Sequence, residues 1–454
     1  MRLNRILPFS IFFLLACGCS QKFERVTVFL RNPADIDFKD APISIPRSAF
    51  EIRDSTLIPI IVDEMGNYVP CQSDDIDQDG IWDELVFVYD FDRLDSLKVY
   101  VEWMQPEQFP AFARRTNLRI AKREDDKGPL NERKMDYHTY DLTALHNFNP
   151  YQMEGPAWEN DKIGFRHAFD GSKTQSILGK RTHKMVLDSV GIMPDGNVGD
   201  TYHVLAGWGM DLLDAANTTG LGGISLLTDS THIRLGVARE FMTDNVDSCY
   251  YTVIAEGPIR SMLRLDYKGW QTGKKKMDLT QYITIWAGQH GYRTVLIPHD
   301  MPDSTFLATG IPIKNLKDAD TLLWGDNLNL RVYEEGFVAM MTHALQSAEH
   351  RYALGMAIVI PKRNFKSTFK PDIRRKNTLD EQWSAALQTD DKGKTGFYVM
   401  GCWELENEGF KSADYFVRFV DENVIRMNHP IEWRIGGVKN TLPPVISREL
   451  DESL

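Results

Sequence analysis

Ile259-Arg260-Ser261-Met262-Leu263-Arg264-Leu265-Asp266-Tyr267-Lys268 leads, through a turn between Gly269 and Lys275, into a second apolar run from Leu279 to Ala287. In the first run Ile259, Ser261, Leu263, Leu265 and Tyr267 alternate with Arg260, Met262, Arg264, Asp266 and Lys268. A period of two places alternate side chains on opposite faces of a strand. The two runs predict a long antiparallel hairpin with one apolar and one charged face. Outward from it, Ala353 to Ile360 and Phe397 to Trp403 read as buried strands, and Asn407 to Val420 has room for a short helix. Val26, Val28 and Leu30 alternate with Thr27 and Phe29, and Leu97, Val99, Val101 and Trp103 alternate with Lys98, Tyr100 and Glu102. Ile58 to Cys71 reads as a hairpin turning at Gly66-Asn67.

Long strands, Gly/Pro turns and few helices define a mostly β chain. The polar, Gly- and Pro-broken stretch Glu124 to Asp136 divides a small N-terminal β domain, 23–122, from a large β-sandwich domain with few short helices, 137–454. A length of 454 residues favours two or three domains, and 43% apolar composition supplies enough apolar area for a large core. A net charge of -12 argues against nucleic acid and anionic membrane surfaces as partners.

Residues 1–19 read as a secretion signal. Arg2 and Arg5 precede an apolar run, Ile6 to Ala16, too short to span a bilayer. The run ends Leu14-Leu15-Ala16-Cys17-Gly18-Cys19-Ser20, a lipobox pattern with Leu14 three places before Cys17. Cys17 is the expected lipidation site and Cys19 the alternative, so the membrane is reached only through acyl chains. Acidic residues do not directly follow Cys17, so an outer-membrane or periplasmic lipoprotein facing the periplasm is preferred over the cell surface. Cys71, Cys249 and Cys402 are an odd set without short spacing and read as buried thiols.

The turn Asp74-Asp75-Ile76-Asp77-Gln78-Asp79-Gly80-Ile81-Trp82-Asp83 carries aspartates at alternate positions. Asp75, Asp77, Asp79 and Asp83 match positions 1, 3, 5 and 9 of a calcium loop, and Gly80 permits its bend. Val86 stands where such a loop has its bidentate Glu, and a strand rather than a helix follows. A structural Ca²⁺ or a solvated acidic turn fits this pattern. No nucleophile elbow, metalloprotease helix motif or paired-cysteine zinc spacing is present, and the 11 histidines are scattered, so no catalytic cofactor is expected.

The densest chemistry lies between Gly155 and Asp214. Glu159, Asp161, Asp211 and Asp214 are carboxylate candidates for cleaving a glycosidic bond. If Trp208 to Asn217 is helical, Asp211 and Asp214 share a face. Tyr202 or His203 is a candidate base for β-elimination of a uronate, and Arg166 a candidate clamp for its carboxylate. Trp158 and Trp208 suit stacking on sugar rings, and His167 and His183 suit hydroxyl recognition. The plainer reading of these residues is a set of core aromatics, capping aspartates and satisfied histidines.

The Gln72–Glu84 turn, the run Trp158-Glu159-Asn160-Asp161, the run Tyr202-His203 to Trp208-Gly209-Met210-Asp211, and Glu256-Gly257-Pro258-Ile259-Arg260 occur in that order. Together they resemble the DUF4861 family of Bacteroidetes lipoproteins, whose function is unknown. The resemblance implies a polysaccharide-utilisation setting and brings no catalytic residues with it. The Gly-Pro-Ile-Arg hairpin is also similar to those of galactose-mutarotase-like supersandwich proteins, many of which are lyases or glycosidases; that likeness is one of fold. The leading expectation is a carbohydrate-active envelope enzyme cleaving oligosaccharides or polysaccharides, with a uronate-directed lyase ahead of a glycoside hydrolase. The alternative is a non-catalytic glycan-binding or scaffold lipoprotein.

Overall fold

The long hairpin forms and extends past its expected turn. Arg260–Thr272 and Lys275–Trp286 pair antiparallel from Arg260↔Trp286 to Thr272↔Lys275, with a register shift between Tyr267 and Trp270. The turn closes at Gly273, whose φ of +86° suits a residue without Cβ. The computed structural model describes residues 25–52, 54, 56–138, 148–213, 218–228, 231–237, 244–313, 329–345, 352–370, 379 and 382–440. Cys17, Cys19 and Asp214 lie outside them.

The hairpin sits inside a nine-stranded antiparallel sheet. Its order is Met135–His138, Ser248–Glu256, Arg260–Thr272, Lys275–Trp286, Gly291–His299, Thr395–Trp403, Ala353–Pro361, Phe337–Leu345, Asn329–Val332. Two five-stranded sheets face it. One runs Gly209–Asp211, Gln175–Lys180, Ile163–His167, Ala157–Asn160, Thr116–Arg119; the other runs His232–Arg234, Ile224–Leu227, Phe306–Pro312, Gln382–Leu387, Phe365–Phe369. Leu263 and Ile283, Trp158 and Phe165, and Leu226 and Leu387 bring the three sheets into one core. Each such fully buried side chain contributes roughly 1.5–3 kcal/mol. The chain is therefore a mostly β sandwich of large sheets.

A second core lies between a six-stranded sheet, which includes Val26–Arg31, Ser96–Met104 and Ile58–Val62, and a three-stranded sheet of Phe38–Pro46, Glu84–Phe91 and Cys71–Asp74. Strand pairings cross the expected boundary between the two units. Thr116–Arg119 already pairs with Ala157–Asn160 in the large unit. Glu432–Ile435 crosses back to pair with Val26–Arg31, and Trp433 packs in the first core. Local composition marks a polar linker but carries no record of a strand that returns from 400 residues away.

The hairpin's second face is a solvated charged surface only in part, at Arg264 and Lys268. The first unit covers part of it, so Arg260 is fully buried, with ion pairs to Asp74 at the edge of that unit and to Glu84 at 2.8 Å. The α-helix among the described residues is Ala413–Asn428, starting later and running further than the sequence suggests. Ser412 caps it, and Phe416, Val420 and Val424 pack on the strands carrying Ala339 and Ala357. No helix among the described residues is long and apolar enough to cross a membrane. Cys71, Cys249 and Cys402 are buried free thiols.

Candidate functional site

The five-stranded sheet that ends at Gly209–Asp211 gathers most of the expected site. Trp158, Phe165 and Ile177 point into the core, so Glu159, Arg166, Ser176 and Lys180 point to the opposite face. Asp211 joins that face, in register with Leu178. Gly209–Asp211 is a strand, so the helical pairing of Asp211 with Asp214 does not arise.

A covering segment seals this face. Met153, Leu187, Val190 and Tyr202 pack on Ala157 and Leu178, with Val186 and Trp208 at the margin. Beneath it the charges are paired. Glu159 is fully buried in an ion pair with Lys180, and its second oxygen accepts the amides of Val186 at 2.7 Å and Leu187 at 2.8 Å. Arg166 donates to Asp211 at 2.7 Å and Glu154 at 2.9 Å, and its guanidinium lies 5.1 Å from the centroid of the Tyr202 ring. Burial alone would lower the Arg166 pKa; Asp211, Tyr202 and Glu154 outweigh it and hold the group charged. Asp211 also accepts from the Ser176 hydroxyl and from the Leu213 amide. Burial pushes the Tyr202 phenol well above its ordinary value.

The remaining candidates diverge. Asp161 accepts from Arg115 at 2.6 Å and from the Gly288 amide at 2.7 Å. Trp158 is a core residue stacked on Phe165, and Trp208 is half-buried against the covering segment. His167 is buried, with Nε2 at 3.2 Å from the Tyr267 hydroxyl; burial, then Lys173 and Arg166, pull its pKa down to about 3. His183 is exposed, with Nδ1 at 2.9 Å from the Asp161 carbonyl. His203 is the expected base that reaches solvent, its side chain 46% exposed and Nδ1 3.8 Å from Asp211 Oδ2. Tyr202 and His203 share the 3-10 turn Thr201–His203, with ring centroids 4.4 Å apart, because the backbone there is not a strand.

Glu159, Arg166, His203 and Asp211 therefore do not line one hollow. Three are interior members of ion pairs, and removing either partner of such a pair strands a buried charge. Glu159, Asp161, Arg166 and Asp211 are held in ion pairs, and Tyr202 packs in the covering segment.

The structure opens a hollow elsewhere. A cleft of about 680 Å³ lies between the first unit and the outer face of the nine-stranded sheet. Ile283 and Ile285 face the core, so Thr284 and Trp286 face the cleft. Phe38 and Arg47 come from the first unit, Arg293 and Tyr398 from neighbouring sheet strands, and Arg426 from the helix. Trp286 lies 5.0 Å beneath the Arg260 guanidinium, and Phe38 lies 5.3 Å from that of Arg426. Its acidic lining residues are Asp83 and Glu84. Apart from Asp83, none of the expected site residues lines this cleft. Alternation along Leu279 to Ala287 does place Trp286 opposite the core; what covers that face depends on the other unit.

In the Asp-rich turn, carboxylate oxygens of Asp75, Asp77 and Asp83 lie within 4.8 Å of one another. Asp79 instead accepts the Ile81 amide at 2.7 Å. Asp75 accepts the amides of Asp79 and Gly80, and Asp83 accepts those of Ile76 and Asp77. Burial, then the like charges of Asp77 and Asp75, raise the Asp83 pKa, a repulsion that a divalent cation would relieve. Three convergent hard oxygens fit Ca²⁺ as a partial ligand set completed by water or carbonyls.

A family model described as "Domain of unknown function (DUF4861)" matches residues 30–432. A protein of Formosa agariphila described as "Uncharacterized protein P7" is 22% identical over 301 residues, 63% of this chain and 68% of that protein. Among solved structures, an alpha-mannosidase from Enterococcus faecalis aligns with a TM-score of 0.46 at 9% identity, covering 92% of this chain and 46% of that one. A glycosyl hydrolase family 38 protein from Enterococcus faecalis aligns with a TM-score of 0.44 at 9% identity, covering 92% of this chain and 48% of that one. The chain thus spans under half the length of either solved structure.

Proposed function

We propose that this chain, which belongs to the DUF4861 family, is an envelope glycan-binding protein that takes an oligosaccharide in the cleft beside Trp286. One observation carries the reading: aromatic faces and charged side chains meet in one open cleft of about 680 Å³, within the range of small-ligand sites. Sugars offer apolar C–H faces to aromatic rings and hydroxyl edges to charged groups. Binding is favoured over cleavage because the carboxylates expected to cleave are interior ion-pair members.

Calorimetry against neutral and acidic oligosaccharides tests this reading. Trp286→Ala, and Thr284→Trp to fill the cleft, are expected to weaken binding at least tenfold, with thermal melting as the folding control. Unaltered affinity in both would refute the cleft as the site. A panel in which no glycan binds would refute the function.

A second reading, cleavage, has one supporting observation: the exposed His203 sits above the buried Asp211 with Nδ1 turned to its carboxylate at 3.8 Å. An imidazole oriented by a carboxylate can act as a general base. Under this reading a uronate lyase would yield ultraviolet absorbance from an unsaturated product, and a hydrolase reducing ends without absorbance. Loss of turnover in His203→Ala would support it; a panel without either product would remove it.

The same proposal includes a periplasm-facing lipid anchor at Cys17 and a structural Ca²⁺ at Asp75, Asp77 and Asp83. Cys17→Ser is expected to move the protein from the membrane to the soluble fraction. Retention in the membrane would overturn Cys17 as the anchor and point to Cys19.

A further inference from the structure

We propose that Arg47 is an anion-recognising residue of the cleft, and that the saccharide bound there carries a negatively charged substituent, a carboxylate or a sulfate ester. The proposal rests on the glycan-binding reading and adds the chemical class of the ligand.

The backbone at Arg47 is held on both sides. It follows the strand Phe38–Pro46, its amide donates to the Asp83 carbonyl at 2.6 Å, and its carbonyl accepts the Phe50 amide at 3.1 Å. The side chain is braced as well. Its guanidinium lies 5.4 Å from the Trp82 ring centroid, and Trp82 is wedged between Phe50 and Trp103. Arg47 lines the cleft, yet its Nε is buried without a hydrogen-bond partner. No carboxylate among the described residues lies within ion-pair distance of it.

The other charges beside the cleft, Glu84, Asp83, Arg426 and Arg293, are committed. Glu84 pairs with Arg260 at 2.8 Å. One carboxylate oxygen of Asp83 accepts the amides of Ile76 at 2.7 Å and Asp77 at 3.3 Å. Arg426 donates to the Asp37 carbonyl at 2.8 Å and to Glu422 at 3.3 Å. The charge left unmet is positive and sits on the Arg47 fork. The two terminal nitrogens of a guanidinium meet a carboxylate or sulfate with two parallel hydrogen bonds, and at Arg47 no described residue accepts a hydrogen bond from that end. The ring beneath fixes the fork, so little side-chain freedom is lost on binding. The chain's net charge of -12 repels an acidic glycan at long range, and a local unpaired cation is what such a ligand needs to dock.

The experiment is calorimetry of the full chain with trigalacturonate, a sulfated carrageenan tetrasaccharide and cellotriose. The expected result is tighter binding of one anionic probe than of cellotriose, which identifies the substituent as carboxylate or sulfate. The preference weakens as salt rises, because the attraction is screened. In Arg47→Gln the ratio of anionic to neutral affinity falls about tenfold to a hundredfold, the worth of a hydrogen bond to a charged group. Arg47→Lys, which keeps charge but not the fork, falls between, and serves should the glutamine variant misfold. Anionic and neutral probes bound alike by the unaltered protein, or a ratio unchanged in both variants, would overturn the proposal and leave glycan binding standing. Cellotriose as the preferred probe would do the same. Failure of all three probes to bind the unaltered protein would overturn both.

Discussion

Breaking the Glu159–Lys180 pair is the sharpest test of whether the polar sheet face is architecture or machinery. Both side chains are interior, at 0% and 1% exposure. Glu159→Gln leaves the Lys180 ammonium with the Asn160 carbonyl at 2.6 Å as its remaining described partner. Lys180→Met leaves the Glu159 carboxylate with the amides of Val186 and Leu187 and the Asn117 side chain. Loss of one member of a buried ion pair costs about 3–5 kcal/mol. The double variant should cost far less than the sum, because a neutral Gln–Met pair fills the same space and Gln still accepts both amides. A coupling of about 2 kcal/mol or more is expected from the double-mutant cycle. Urea unfolding followed by tryptophan fluorescence measures all four proteins. The architectural account fails if either single variant is as stable as the parent, or more stable, while glycan turnover disappears. That pattern belongs to an active site, where strained charged groups are kept for chemistry at a cost in stability.

Acid should destabilise the protein through two buried histidines. Burial holds the His167 pKa at about 3 and the His232 pKa at about 4, against 6.5 when unfolded. Below 6.5 the unfolded chain takes up protons that the folded chain refuses, so stability falls with decreasing pH until each folded pKa is passed, by up to about 1.4 kcal/mol per unit for each group. In His167→Gln the slope of melting temperature between pH 6.5 and 4 should be shallower; an unchanged slope would reject this assignment. Millimolar Ca²⁺ should raise the melting temperature of the parent but not of Asp77→Asn/Asp83→Asn, and a parent indifferent to Ca²⁺ removes the metal from the turn. Gly209 has φ +139°, and a Cβ there would lie 1.7 Å from the Gly179 carbonyl oxygen. Gly209→Ala should therefore cost several kcal/mol through backbone clash and strain at the edge strand that carries Asp211, read as a lowered unfolding midpoint.

Periodicity alone determined that the chain is mostly β and where many of its strands run. Leu263 and Ile283 point to the core because alternation leaves them no other face, and the Gln72–Glu84 turn, the Trp158–Asp161 and Tyr202–Asp211 runs and the Gly-Pro-Ile-Arg hairpin carried the family resemblance. Local alternation carried no reading of the strand pair that puts Glu159 and Arg166 on one face. It was silent on what lies above that face. Whether a carboxylate is a catalyst or an ion-pair partner depends on the layer packed over it, here Met153, Leu187 and Tyr202, which are joined to it by irregular backbone without period. The cleft was equally illegible, since Arg47, Trp286 and Arg426 meet only because residues far apart in the chain are brought to one place. Strand content follows from side chains a few residues apart; burial, pairing and concavity are properties of surfaces that meet over long chain separations, and only the tertiary structure brings those surfaces together.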